Sequence, residues 1–222
     1  MNLKLRSAIS LVFAIAILAA SAYAAAGAVY TESNSAGVNF IKVYVRSDSG
    51  QLWPAAAAAF PTGGAGTGTG LGTQGALAID DANQFLFAVN AGSDSISVFE
   101  ISEFGLRLVS VVPSGGKNPV SLTVKRNVLY VLNDGGAVND TDTIAGFAVG
   151  ENGQLTPLVS QLHLSGASVG PAQISFNTDG DLLMVTEKAT NNIDVFTVDN
   201  SGVASGPNVF PSAGQTPYGF AF

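Results

Sequence analysis

From about residue 28 the chain is a succession of short apolar runs separated by small polar turns. The clearest copy runs from Gly170 to Phe196, where ISF, LLMV and IDVF are divided by Asn177-Thr178-Asp179-Gly180 and by a second polar turn. Asp-Gly between two apolar runs marks a hairpin, because the turn needs a positive φ that glycine accepts without steric cost. The pattern predicts strands over Ala172 to Phe176, Leu182 to Glu187 and Ile193 to Val198. Asn118 to Phe147 repeats the order with NPVSLTV, VLYVLN and TIAGF, and Gly75 to Phe99 with GALAID, FLFAVN and ISVF. A weaker copy opens with AVYTES and FIKVYV, and Thr216 to Phe222 begins another. The aromatic ring of the third strand falls at Tyr44, Phe99, Phe147 and Phe196. A period of roughly 50 residues with three or four short strands per unit is the mark of an all-β propeller built from four-stranded antiparallel blades.

Taken in order, Ala28 to Ser33, Asn39 to Arg46 and Gln51 to Phe60 read as the first three strands. The run Ala55 to Ala59 has helical propensity, but its place before Pro61 matches the outer strand of later units and is read as strand. Pro61 to Thr73 is rich in Gly and Thr and is expected to be a mobile connection. It leads into Gly70-Leu71-Gly72-Thr73-Gln74-Gly75, which fits G-x-G-x-x-G. A dinucleotide site needs a helix to open after that pattern, and a β-rich segment from Ala76 to Ile79 follows instead, so nucleotide binding is set aside. Later units end with outer strands such as Leu106 to Val112. If each blade's strands are lettered A to D from the channel outward, the chain reads B-C-D, three full units, then a last A strand. Pairing that A strand with the opening B-C-D closes four blades. The alternative, which the reading favours, is about four blades of a longer ring.

The first 24 residues are read apart from the fold. Lys4 and Arg6, the apolar stretch Ile9 to Ala20 and the small-x-small triplet Ala22-Tyr23-Ala24 form an export signal with cleavage expected after Ala24, leaving repeats over 25–222. The bland rival is an uncleaved anchor. The protein is thus expected to be secreted or periplasmic, with no stable membrane span after cleavage. It has no cysteine, so disulfides play no part. Of 9 basic residues two lie in the leader, so 7 face 16 acidic ones, a net charge of −9. That balance argues against nucleic acid as a partner. Asn139-Asp140-Thr141 is a glycosylation sequon, of meaning only in a eukaryotic host.

The order Pro-x-x-apolar-x-apolar, then NTDGD, then LLMVTEKATNNIDVFTVD, resembles the seven-bladed lactonase propellers, among them phosphogluconolactonase and the carboxymuconate lactonizing enzymes. The resemblance covers essentially the whole chain after the leader. It implies a seven-bladed ring, of which about three blades are absent here, and a small-molecule lactone or carbohydrate as partner. It also implies a catalytic Glu ending a B strand, and the matching residue is Glu187 in Val185-Thr186-Glu187-Lys188. The Arg and His expected after Gly-Pro are replaced, since Gly170-Pro171-Ala172-Gln173 stands there. Gln173 hydrogen-bonds a carbonyl but cannot act as a general base. Candidate ligand-binding residues are therefore Gln173, Lys188, Asn133 and Asn90, the two asparagines ending the B strands of neighbouring units. The bland reading is that such residues cap turns and bond backbone amides.

His163 is the single histidine, placed on an outer strand; a Ser-His-Asp triad would have to use it, and a zinc site would have no Cys or second His. Asn177 to Asp181 and Asn139 to Asp142 alternate carboxylates as calcium loops do, but lack the distal bidentate Glu. No metal and no cofactor is expected. Two functions stand open: a hydrolase of a lactone or sugar-acid lactone, or a non-catalytic propeller binding carbohydrate or protein.

Overall fold

The computed structural model describes residues 27–135 and 141–222. The expected leader over residues 1–24 and the sequon asparagine Asn139 lie outside the described residues. Four antiparallel sheets follow one another along the chain. The first holds β1 (Gly27–Glu32), β2 (Phe40–Arg46) and β3 (Leu52–Pro61). The second holds β4 (Leu77–Ile79), β5 (Phe85–Asn90), β6 (Ser95–Ser102) and β7 (Gly105–Pro113), with a turn of 3-10 helix at Ala91–Ser93. The third is β8 (Pro119–Lys125), β9 (Val128–Asn133), β10 (Thr143–Val149) and β11 (Leu155–His163). The fourth is β12 (Pro171–Phe176), β13 (Leu182–Glu187), β14 (Asn192–Val198) and β15 (Ala204–Pro211). Each sheet is a blade with its strands in chain order, and the Ala run is strand.

Burial explains why the second strand of each blade reads as an unbroken apolar run. In β5, Phe87 and Val89 pack on blade 3 while Leu86 and Ala88 pack on blade 1. In β9, Leu129 and Val131 face blade 2 while Tyr130 and Leu132 face blade 4. Successive side chains point to opposite faces, and here both faces are covered, so every position favours an apolar residue. Three inter-blade cores result. The deepest includes Phe196, Leu183, Ile174 and Ile144, all essentially without solvent exposure. Tyr130 ties blades 3 and 4 by polar contacts as well: its hydroxyl donates to the Gly202 carbonyl and accepts from the Ala204 amide, both at 2.8 Å.

The expectation for the C-terminal segment fails. Thr216 to Phe222 was expected as an A strand, but it carries no strand pairing. Its backbone is met by side chains instead. Gln173 both donates to the Phe220 carbonyl and accepts from the Phe220 amide at 3.0 Å, and Thr186 donates to the Tyr218 carbonyl at 2.6 Å. Among the described residues β1 pairs with β2 alone, so the two terminal segments do not close a four-bladed ring.

The Gly/Thr-rich segment is not a loose connection either. Gly66 and Gly68 amides bond the carbonyls of Ser35 and Asn34, and Asn34 in turn donates to Thr67 and Thr69. Thr73 donates to the Val120 carbonyl at 2.9 Å, the Gln74 amide to Ala172 at 3.0 Å, and the Leu122 amide to Gly75 at 2.7 Å. The segment crosses from blade 1 to the inner strands of blades 3 and 4. Its glycines allow close approach: a Cβ on Gly64 would lie 2.4 Å from the Asn90 side chain.

Candidate functional site

The same arrangement of polar groups recurs at one rim. The first three outer strands leave their blades through a hydroxyl residue, Thr62, Ser114 or Ser165, and Thr62 and Ser165 bond the polar end of the next blade's second strand. In blade 2, Thr62 Oγ1 donates to Asn90 Oδ1 at 2.6 Å and Asn90 Nδ2 donates to Ser97 Oγ at 2.7 Å, while Ser97 closes the circuit on the Thr62 carbonyl at 2.7 Å. In blade 4, Ser165 Oγ donates to Glu187 Oε2 at 2.6 Å and the Ser165 amide reaches Glu187 Oε1 at 3.1 Å and Asp194 Oδ2 at 2.8 Å. Thr190 also donates to Glu187. Asn90, Asn133 and Glu187 therefore all lie at this rim, and all three are fully buried between one blade and the exit loop of the blade before. There Asn90 and Glu187 act as polar latches, which is the turn-bonding role set beside the catalytic one.

Asp194 is as buried as Glu187, and the two carboxylates accept from the same Ser165 amide. Burial, then the neighbouring Glu187, pushes the Asp194 carboxyl up to about 7. Asp134 and Asp142 stand nearby. Burial raises both; the Asp142 charge adds to the rise at Asp134, which is pushed up to about 6 with Lys188 opposing it, and the charge of Glu187 adds to the rise at Asp142. Lys188 is engaged too. Its Nζ donates to the Gly72 carbonyl at 2.7 Å and lies 5.5 Å from the Tyr218 ring centroid. Gln173 is occupied by the Phe220 backbone. Of the five candidate residues, Glu187, Asn90, Gln173 and Lys188 thus hold parts of the chain itself, while Asn133 has no partner for either side-chain polar atom.

One rim carboxylate was passed over. Glu32 ends β1 as Glu187 ends β13, and Tyr30-Thr31-Glu32 copies Val185-Thr186-Glu187. That echo was the available signal, blurred because the first unit is the weakest copy. Glu32 Oε1 accepts from Asn39 Nδ2, whereas Oε2 has no hydrogen-bond partner. Burial pushes its carboxyl up to about 7 against the lowering effect of Asn39. It lines a cavity of about 420 Å³ with Ser33, Asn34, Gly68, Thr69 and Leu71. Hydroxyl and amide side chains make one part of its wall polar, and Leu71 and Ala76 make the rest apolar.

The remaining motifs are structural. His163 is exposed at the end of β11. Asn177 spans its turn, accepting from the Asp181 and Leu182 amides at 3.1 Å. A strand, β4, follows Gly70 to Gly75, so that pattern lacks the helix a pyrophosphate site requires. Among the described residues no cluster of His, Cys, Asp and Glu is arranged to hold a metal, and no helix is long and apolar enough to cross a membrane.

Sequential blades of three or four strands, packed face to face, define an antiparallel β-propeller. The profile described as "Lactonase, 7-bladed beta-propeller" matches residues 39–134 and 120–217, and the chain belongs to that family. The two matches overlap, as a repeated unit produces. Among solved structures, a provisionally assigned 6-phosphogluconolactonase from Bacteroides uniformis superposes with a TM-score of 0.62 at 14% identity, covering 83% of this chain and 53% of that one. A periplasmic gluconolactonase from Pseudomonas aeruginosa gives 0.60 at 19% identity, covering 88% and 56%. A protein of unknown function from Desulfotomaculum acetoxidans gives 0.59 at 20% identity, covering 89% and 60%. At these identities the likeness is one of fold. The chain spans little more than half the length of these structures. No protein of curated function matches the sequence.

Proposed function

We propose that this chain is an exported lactonase-type propeller that hydrolyses a small hydroxylated lactone at the rim, with Glu32 as the group that activates water. The observation carrying this reading is that Glu32, whose buried Oε2 has no hydrogen-bond partner, lines a cavity of mixed polar and apolar wall, with a carboxyl whose pKa of about 7 suits proton transfer near neutrality. Glu187, the residue the resemblance implies, is enclosed with both oxygens bonded, so in this reading it holds the rim in shape. In the reaction, ionised Glu32 takes a proton from water as the water oxygen bonds to the lactone carbonyl carbon. The tetrahedral oxyanion then collapses, the ring C–O bond breaks, and the alkoxide receives the proton from Glu32. The product is the open hydroxy acid. Export rests on the basic, apolar and small-residue order of residues 1–24.

A panel of γ- and δ-aldonolactones tests this, with wild type, Glu32→Gln and Glu187→Gln compared by acid release. Turnover by wild type that Glu32→Gln abolishes supports the assignment. Absence of turnover on every lactone, from folded protein, overturns it. The second reading, a non-catalytic carbohydrate- or protein-binding propeller, then takes its place; it is favoured by the absent Arg and His after Gly170-Pro171 and by the internal engagement of Gln173.

A further inference from the structure

The latch of blade 3 is incomplete. At the position of Ser97 in blade 2 and Asp194 in blade 4, blade 3 has Ala145: Ala88 pairs with Ser97, Val185 with Asp194 and Val131 with Ala145. Ala145 offers no hydroxyl, and Ser114 Oγ donates to the Gly116 carbonyl at 3.2 Å instead of to the asparagine. Asn133 is left fully buried with neither Nδ2 nor Oδ1 bonded. Its cross-strand neighbour Thr143 is 2% exposed and its hydroxyl is also without a partner. Buried amide and hydroxyl groups are rarely left this way in a folded protein.

A cavity of about 500 Å³ opens at this point between blades 2 and 3. Thr143 and Gly116 line it, and Gly116 lies directly against the Asn133 side chain, since a Cβ there would be 2.6 Å away. Asp94 and Lys117, ion-paired at 2.9 Å, stand at its open side. A second cavity of about 460 Å³ shares Pro113, Gly115 and Gln161 with the first and is walled by Phe147, Leu155 and Val159. The groove between the blades is therefore polar at its inner end and apolar at its outer end.

We propose that this groove binds a neutral hydroxylated ring bearing an apolar substituent, an alkyl or aryl glycoside in chemical class. Each sugar hydroxyl is both donor and acceptor, which matches the hydroxyl of Thr143 on the wall and the amide of Asn133 directly behind Gly116. The substituent lies along Phe147 and Leu155. The site is separate from the Glu32 cavity and does not depend on lactone hydrolysis.

The test is calorimetric titration with methyl and hexyl glycosides of glucose, galactose and mannose, with hexanol as the apolar control. Thr143→Val keeps shape and removes the hydroxyl, whereas Ala145→Ser supplies Asn133 with the internal partner that Ser97 gives Asn90. At least one hexyl glycoside is expected to bind about five-fold more tightly than its methyl counterpart and than hexanol. Either folded variant is expected to weaken that binding by about five-fold, and Glu32→Gln to leave it unchanged. Saturable binding by no member of the panel, hexanol equal to the hexyl glycosides, or wild-type affinity in both variants overturns the proposal.

Discussion

The carboxyl pair Glu187 and Asp194 makes a quantitative prediction about pH. Both side chains are fully buried against the Ser165 amide, and burial together with the neighbouring Glu187 keeps Asp194 protonated up to about pH 7. In the unfolded chain an Asp titrates near 3.9. Between about pH 4 and 7 the native state thus binds a proton that the unfolded state has lost, and stability falls as pH rises through that window. The contribution is complete below about pH 4 and gone above the native pKa. A shift of about three units corresponds to at most about 4 kcal/mol, and relaxation around the pair reduces the expected fall to about 1–3 kcal/mol. Asp194→Asn replaces the titrating carboxyl beside Glu187 with a neutral amide. Glu32 and Asp134 are raised as well and contribute slopes of the same sign, so the informative quantity is the difference between variant and wild type. Urea unfolding at several pH values from 4 to 8 measures it. The variant is expected to match or fall below wild type at pH 4 and to gain on it by about 1–3 kcal/mol at pH 8. Equal slopes in the two proteins refute the reasoning.

Three further outcomes follow from the packing. Tyr130→Phe strands the Gly202 carbonyl and the Ala204 amide inside the blade 3–4 interface, and a loss of about 2–3 kcal/mol is expected in urea unfolding. Gly146→Ala places a Cβ 2.7 Å from the Tyr130 ring, and overpacking is expected to cost about 1–3 kcal/mol in the same assay. Lys188→Met releases the Gly72 carbonyl and the contact with Tyr218; faster amide exchange at residues 70–75 checks this, with little change in global stability.

The blades were legible in the sequence because two signals agreed. Asn177 to Gly180 fixes a turn by side-chain and glycine chemistry, and FLFAVN and VLYVLN are apolar throughout because both their faces are covered. The segment Pro61 to Thr73 misled, since its glycines and threonines serve close approach and hydrogen bonding to Asn34, Asn90 and Val120 as readily as they serve a flexible tether. Composition alone does not separate those cases. The final A strand was misread because TPYGFAF has the right residues, yet Gln173 meets the Phe220 backbone where a strand neighbour was expected.

The rim was legible only in part. Asn90, Asn133 and Glu187 were recognisable as polar ends of apolar strands. Their direction was not, because it is set by where Thr62, Ser114 and Ser165 of the preceding blade arrive. Asp194 was invisible for the same reason: its meaning depends on Val185 lying opposite and Glu187 two residues further on. Glu32 repeated a visible Thr-Glu pair, but its unit carried too little of the pattern for the match to stand out.

The most direct test of the account is the pH dependence of kcat/KM for lactone hydrolysis, corrected for the spontaneous reaction, in wild type and Glu32→Gln. With Glu32 acting as a base of pKa about 7, the wild-type profile rises about tenfold per pH unit below that value and levels above it. Glu32→Gln is expected to lose about 100-fold and the limb with it. A wild-type profile without that limb, or a folded Glu32→Gln variant as active as wild type, contradicts the assignment.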